Sequence, residues 1–208
     1  MTPANGGTAI GPTTGWTATR WAALGGIAGP VAFVSGWVVN GLRTPGYDPL
    51  TEAISQLARE GAPTHTAMTA CFVGFGVLMP LWARTVAREL EAPALRPVVT
   101  VAGLATLLVA ALPLTREPGG TQDLLHAVAA GTGYVAMALT GLIAAPALRR
   151  RGAKAAAAAS AGVGVVSVLA LIGTLLVDGS GGLQRLGLTV VDTWHVVVAV
   201  WVLRRPRT

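Results

Sequence analysis

Long uncharged stretches separated by short charged clusters make up the pattern along this chain. Six of these stretches carry at most one acidic residue each. A helix that crosses the hydrocarbon core of a membrane needs about 20 apolar residues, and about 17 to 25 are tolerated. The stretches therefore predict six membrane-spanning helices. Their approximate limits are 21–40, 65–83, 97–114, 122–147, 157–177 and 186–203.

The same pattern argues for helices and against strands. A membrane β-barrel needs segments of about 10 residues with alternating apolar and polar positions, and no such alternation occurs in this sequence. We therefore predict an all-α polytopic membrane protein, a six-transmembrane-helix bundle. The predicted organisation is a disordered cytoplasmic N-terminus over 1–19, the membrane domain over 20–203, and a basic cytoplasmic tail over 204–208.

The loop between the first two spans has a pattern of its own. Asp48 is a suitable helix cap, Pro49 suits the first helical position, and Gly61 suits the end. Between them, apolar positions recur at helical spacing and predict a short amphipathic helix lying on the outer membrane surface. The residues of this apolar stripe are Leu50, Ile54, Leu57 and Ala58.

Composition supports a membrane protein and excludes several other classes. Hydrophobic residues make up 52% of the chain and charged residues 12%, whereas soluble domains carry about 25% charged residues. A conventional water-soluble enzyme and a disordered chain are excluded on this ground. The single cysteine, Cys71, excludes a disulfide scaffold. The net charge of +6 does not indicate a nucleic-acid partner, because no basic stripe is interleaved with aromatic residues.

The positions of the basic residues predict how the protein is oriented. Of the 15 Lys and Arg residues, 11 flank the predicted spans on the side of the two termini. The positive-inside rule therefore places both termini in the cytoplasm. The background is rich in Ala and Gly, and Arg greatly outnumbers Lys. These features are typical of a GC-rich bacterial genome, so we expect a multi-pass protein of a bacterial plasma membrane with lipids as its partners.

Polar residues inside the predicted spans are few and ordered. Asp123 and His126 on span four, and Asp192 and His195 on span six, each form an Asp-x-x-His pair on one helical face. An ionised Asp at the centre of a membrane helix costs about 2.5 to 3.5 kcal/mol, so such residues normally face the bundle and have partners. We expect an outward-facing polar pocket among spans two, four and six, in which Asp192 pairs with Arg185 or His126.

These residues allow three interpretations. In the first, the protein has no specified activity and its buried polar groups only fix helix register. In the second, an acid–base enzyme, a hydrolase or cyclase, acts on a lipid or isoprenoid-like molecule. In the third, zinc is held by three protein ligands with one open position. The candidate catalytic residues are Asp192, His126, Asp123 and His195, the candidate substrate-binding residues are Ser55, Arg185 and Trp194, and the candidate metal ligands are His65, His126 and His195.

Three short motifs resemble a known family. They are Thr44-Pro45-Gly46-Tyr47-Asp48-Pro49 leading to Ile54-Ser55-Gln56-Leu57, then Leu125-His126-Ala127, then Gly182-Leu183-Gln184-Arg185. Together they resemble the bacterial multi-pass membrane family known as domain of unknown function number 998. The resemblance implies a six-span bundle with Ser55, His126 and Arg185 at matching positions, and it implies no particular activity. Gln56 stands where the family pattern would place an acid.

Overall fold

The computed structural model describes residues 18–205, and within them it contains six α-helices. A five-residue 3-10 helix, Ile54–Ala58, lies between the first two. The described residues form no β-strand. The helices are α1 (Ala18–Arg43), α2 (His65–Glu89), α3 (Leu95–Ala111), α4 (Thr121–Arg150), α5 (Lys154–Leu176) and α6 (Gly181–Arg204).

The helices form a closed ring in chain order. Each helix packs against the next one along the chain, and α1 packs against α6 to close the ring. Short connections make sequential helices antiparallel neighbours, and α4 also contacts α6 across the ring. One end of the bundle therefore holds the loops that follow α1, α3 and α5. The other end holds the α2–α3 and α4–α5 connections, and arginines lie in or beside both.

Many large apolar side chains are exposed on the outer surface of the ring. Leu42, Leu175 and Leu169 are 85%, 79% and 62% exposed, whereas polar residues such as Asp192 and His195 are buried. A soluble protein rarely exposes such continuous apolar surface. Five of the six helices are long and apolar enough to cross a membrane, and α3, with 17 residues, is shorter. The all-helical bundle expected from the hydropathy pattern is therefore present.

Helix α3 ends before its predicted limit for a local reason. The predicted span ran to residue 114, but the helix ends at Ala111, and Leu112 has φ −121° and ψ 67°. Leu112 precedes Pro113, and the residue before a proline is disfavoured in the helical region. The chain therefore leaves the helix early, and the Leu112 carbonyl is free to accept a hydrogen bond from another side chain.

The predicted terminal segments lie largely outside the described residues. Of the N-terminal segment 1–19, only residues 18 and 19 are described, and both belong to α1. Of the tail 204–208, only residues 204 and 205 are described, and Arg204 is the last residue of α6. The helical bundle is therefore slightly longer at both ends than the predicted 20–203.

Small residues let α1 approach α2 closely. A Cβ atom on Gly25 would lie 3.1 Å from the Leu78 carbonyl oxygen, and one on Gly29 would contact the Leu78 side chain. Helices in lipid associate through such close contacts because no hydrophobic effect drives them together there. Pro30 lies inside α1, and the helix continues on both sides of it.

The arginine-rich end is held together by Glu89. Arg205 donates to the Glu89 carboxylate at 3.1 Å, and Arg151 donates to the Glu89 main-chain oxygen at 2.5 Å. Arg88 donates to Thr19 at the start of α1. These contacts join α1, α2, α6 and the α4–α5 connection at one end of the bundle, as the predicted topology requires.

Candidate functional site

The loop between α1 and α2, residues 44–64, folds into the end of the bundle and is called the roof below. Ile54, Leu57 and Ala58 are buried, but Leu50 is 70% exposed. Asp48 accepts hydrogen bonds from Leu50 N and Thr51 Oγ1 and so caps a single turn, as expected of a capping residue. The predicted amphipathic helix is reduced to that turn and the 3-10 helix, because so short a helix is marginal by itself.

Arg185, at the start of α6, holds the roof in place. Its Nη1 donates to the main-chain oxygens of Pro49 (2.6 Å) and Glu52 (2.8 Å), and its Nη2 donates to the Tyr47 hydroxyl. The guanidinium also lies over the rings of Trp37 and Tyr47, 5.1 and 5.5 Å from their centroids. Arg185 pairs with no carboxylate within the described chain. Carbonyl dipoles and aromatic faces balance its charge instead.

Two further contacts join the roof to the first turn of α6. The Gln184 Oε1 accepts from the Ile54 main-chain N–H at 2.9 Å, and the Gly182 main-chain N–H donates to the Leu50 oxygen at 2.8 Å. Gly181 approaches the Glu52 carbonyl so closely that a side chain there would overlap it. The Gly182-Leu183-Gln184-Arg185 motif is therefore the attachment point of the roof.

Two titratable groups of the roof are shifted in opposite directions. Hydrogen bonds from the Leu50 N–H and the Thr51 hydroxyl lower the pKa of the exposed Asp48 carboxyl below its usual value. Burial raises the pKa of Tyr47, although the neighbouring Arg185 opposes that rise. The neutral Tyr47 hydroxyl donates to the Ala53 oxygen at 3.0 Å. This hydrogen bond within the roof therefore requires the protonated form of Tyr47.

A cavity of about 80 Å³ lies directly beneath the roof. Residues of α1, α2, α3, α4, α6 and the roof surround it, and most of its lining is apolar. Few polar groups reach it, as is usual for small-molecule sites, where they fix the orientation of a ligand. The aromatic lining residues are Phe33, Phe72, Phe75 and Tyr134, and the other polar ones are Ser55, Thr106, His126 and Gln184.

His126 lines this cavity, and one of its ring nitrogens has no hydrogen-bond partner. Its side chain is buried, its Nδ1 lies 2.6 Å from the Leu112 main-chain oxygen, and its Nε2 has no hydrogen-bond partner. A carbonyl oxygen only accepts hydrogen bonds, so Nδ1 carries the proton. In the neutral ring, Nε2 then bears an unprotonated lone pair. The early end of α3 at Leu112 supplies the carbonyl that fixes this tautomer.

The buried polar residues of α6 form a separate group on that helix. His195 is fully buried, and its Nδ1 accepts from the Trp82 indole N–H at 3.1 Å, so its Nε2 carries the proton in the neutral ring. That Nε2 has no partner, and neither does either carboxylate oxygen of Asp192. Asp192 lies beside a groove between α1 and α6, also lined by Thr189 and Thr193. Trp194 donates to the Ser160 hydroxyl at 2.8 Å.

A family model described as a protein of unknown function, DUF998, matches residues 27–201. The chain belongs to the DUF998 family. No curated protein and no solved structure matches it. The match covers the roof, the residues that line the cavity, and all or most of each of the six helices.

The structure of this DUF998 protein brings some of the predicted site residues together. Ser55 and His126 line the same cavity, and Arg185 holds the roof segment that carries Ser55. Asp123 does not join them. It accepts from the Thr115 and Gly119 main-chain N–H groups at 2.8 and 2.9 Å and so fixes the loop before α4.

The predicted pairing of Asp192 is wrong. Arg185 bonds the roof, His126 bonds Leu112, and Asp192 bonds no described residue. Helical spacing places Arg185 and Asp192 on one face of α6, but long helical side chains lean toward the N-terminus. The Arg185 side chain therefore extends away from Asp192 and into the roof.

The three histidines considered as zinc ligands do not come together. His65 bonds the Ala58 oxygen at 2.7 Å, His126 bonds Leu112, and His195 bonds Trp82. Among residues 18–205, no group of three His, Cys, Asp or Glu side chains is arranged to hold a metal ion. Trp194, considered for substrate binding, does not line the cavity under the roof.

Sequence reasoning missed Gln184, Tyr134 and the phenylalanines of the cavity. Gln184 lies in the motif that ends in Arg185, and its position beside that candidate residue is a usable signal. Tyr134 donates to the main-chain oxygens of Leu183 and Gln184 at 3.3 and 3.2 Å. The phenylalanines carried no such signal, because an apolar residue in a span is equally suited to face lipid, core or cavity.

Proposed function

We propose that this DUF998 protein is a multi-pass protein of a bacterial plasma membrane that binds a lipophilic small molecule in the cavity beneath the roof. One observation carries the proposal: His126, whose buried Nε2 has no hydrogen-bond partner, lines an otherwise mostly apolar cavity. Buried polar groups are nearly always hydrogen-bonded, and an exception calls for a specific explanation. A ligand group at Nε2 supplies the missing partner.

The proposed orientation has six crossings, with both termini in the cytoplasm and the roof outside. It is supported by the arginine-rich end opposite the roof, since basic residues concentrate on the cytoplasmic side. A lipophile would then reach the cavity from the outer half of the membrane. The sequence predicted a polar, outward-facing pocket among spans two, four and six. The cavity beneath the roof is also lined by α1 and α3, and of the Asp and His residues predicted for that pocket only His126 lines it.

Cysteine labelling tests the orientation. In a Cys71→Ala background, we expect Glu117→Cys at the roof end to react with a membrane-impermeant maleimide on intact cells. Arg150→Cys at the opposite end should react only after the cells are opened. Both positions are exposed in the structure. The reverse pattern would contradict the orientation.

Photolabelling tests the binding proposal. A short unbranched alcohol carrying a diazirine should label residues that line the cavity, such as Phe72 and Met137. Ala130→Phe should abolish this labelling, because Ala130 lines the cavity and the larger ring fills it. Ala127→Phe is the matched control, since Ala127 lies on the same helix but is exposed. Labelling that is unaffected by Ala130→Phe would refute cavity binding.

A second candidate function is acid–base catalysis on the bound molecule, a hydrolase acting on a lipid or isoprenoid-like substrate. It is favoured by Ser55 and His126 lining one cavity, since a hydroxyl nucleophile needs an adjacent base. His126 Nε2 would accept the proton of the Ser55 hydroxyl. A fluorophosphonate probe should then modify Ser55 in the wild type and fail in His126→Phe. If the probe does not modify the wild-type protein, the catalytic function is refuted and only the binding function remains proposed.

A further inference from the structure

The hydrogen-bond donors and acceptors that have no protein partner in the cavity define the chemical group that a ligand must carry. This inference rests on the proposed function and adds the class of ligand. His126 Nδ1 is committed to Leu112, so its Nε2 can only accept a hydrogen bond in the neutral ring. An ether, an aldehyde or an ester offers no donor and leaves this nitrogen unpartnered. The ligand must therefore carry an O–H or N–H group.

Gln184 supplies the complementary requirement. Its Oε1 accepts from the Ile54 main-chain N–H, and this contact fixes the orientation of the amide. The Gln184 Nε2 group makes no hydrogen bond with any described residue, and Gln184 lines the same cavity as His126. Its two N–H bonds are donors only. The cavity thus offers an acceptor at His126 and a donor group at Gln184, beside the Ser55 hydroxyl, in mostly apolar surroundings.

We infer that the cavity selects lipophiles that carry a hydroxyl group. The hydroxyl donates its proton to a hydrogen bond with His126 Nε2, and its oxygen accepts from Gln184 Nε2. A hydroxyl combines a donor and an acceptor in one group and carries no charge into the apolar surroundings. An ionised carboxylate has no donor for His126, and burying its charge without an ion pair is costly.

The size of the cavity restricts the ligand further. Its volume of about 80 Å³ is roughly half that of an engineered apolar cavity of about 150 Å³ that binds benzene. It therefore accommodates the hydroxyl and a few carbon atoms. The ligand is a short unbranched alcohol or the hydroxyl end of a longer lipophile.

Matched photoreactive probes test this selectivity. The diazirine-bearing alcohol is compared with its methyl ether, which has the same chain but no donor. We expect the ether to label the cavity at least tenfold less, because it leaves a buried acceptor without a partner. His126→Phe should lower alcohol labelling to the level of the ether. His65→Phe, which also removes a histidine bonded to a main-chain oxygen but lies outside the cavity, should leave the tenfold ratio unchanged.

The outcomes separate the two proposals. Equal labelling of the cavity by alcohol and ether overturns the hydroxyl preference and leaves lipophile binding intact. Labelling of the cavity by neither probe overturns both. If His126→Phe does not accumulate in the membrane, the same labelling is measured on His126→Gln. The ratio of alcohol to ether labelling on the wild-type protein also tests the hydroxyl preference without any variant. A ratio near one in the wild type refutes the inference whatever the variants do.

Discussion

The guanidinium of Arg185 donates from Nη1 to the main-chain oxygen of Glu52 at 2.8 Å and thereby joins the start of α6 to the roof. Three more of its hydrogen bonds reach Pro49, Tyr47 and Gly181. A buried cation with no carboxylate partner is costly unless dipoles surround it, and the roof supplies those dipoles. Arg185 is therefore a positioning residue of the site, because it holds the segment that covers the cavity.

Replacing Arg185 should release the roof. We expect Arg185→Gln to lower the free energy of unfolding by about 2 to 3 kcal/mol, since hydrogen bonds to a charged group are lost. Arg185→Lys should rescue little, because an ammonium group cannot reproduce the planar fork. Trypsin cleavage after Arg59 in purified protein measures the release. Arg43→Gln, an exposed residue at the end of α1, is the control, and a roof equally resistant in Arg185→Gln would disprove the role.

Replacing Asp192 with an apolar residue should not destabilise the folded protein, whereas removing one member of a buried ion pair would. Its oxygens have no partner in the described structure, so no cation is left uncompensated. Exchanging a buried unsatisfied polar group for an apolar one of similar size is often neutral or stabilising. We expect Asp192→Leu to keep or raise the unfolding midpoint in detergent. A loss above about 2 kcal/mol would show that Asp192 has a partner after all.

The roof should loosen at high pH through Tyr47. Burial raises the pKa of Tyr47 in the folded protein. The contribution of the neutral Tyr47 to stability is therefore fully present below the pKa of tyrosine in the unfolded chain, about 10. It is lost as pH rises through the folded value. The chain has two tyrosines, so Tyr134→Phe leaves Tyr47 as the only phenol to titrate. Ultraviolet titration should place its ionisation above about 10. Ionisation at or below that value would contradict the burial of Tyr47 within the roof.

The sequence predicted the helical bundle well because the six uncharged stretches depend only on the length of helix that a membrane requires. It also predicted Ser55, His126 and Arg185 as a group, since all three lie in the motifs that carry the family resemblance. Local chemistry alone was sufficient for the Asp48 cap. Each of these features is fixed by neighbours in the chain or by one helix face.

The partners of the buried polar residues were not predictable in this way. Helical spacing places Asp192 and Arg185 on one face, but it does not say which neighbouring helix that face meets. His126 bonds Leu112, and this contact depends on where α3 ends and on how α4 packs beside it. Likewise, the Trp82 partner of His195 comes from α2, across the bundle. Such contacts between distant segments require the packed structure.

The tautomer of His126 is the most direct test of the proposed site. The chain has three histidines, and His65→Phe leaves only His126 and His195. Nitrogen-15 NMR of histidine-labelled protein in lipid, at a pH where both rings are neutral, should then show opposite tautomers, with the proton on Nδ1 in His126 and on Nε2 in His195. Adding the short alcohol should shift only the His126 Nε2 signal, as expected for an acceptor that gains a hydrogen bond. A proton on Nε2 of His126, or no shift with the alcohol, would contradict the acceptor role on which the proposed function depends.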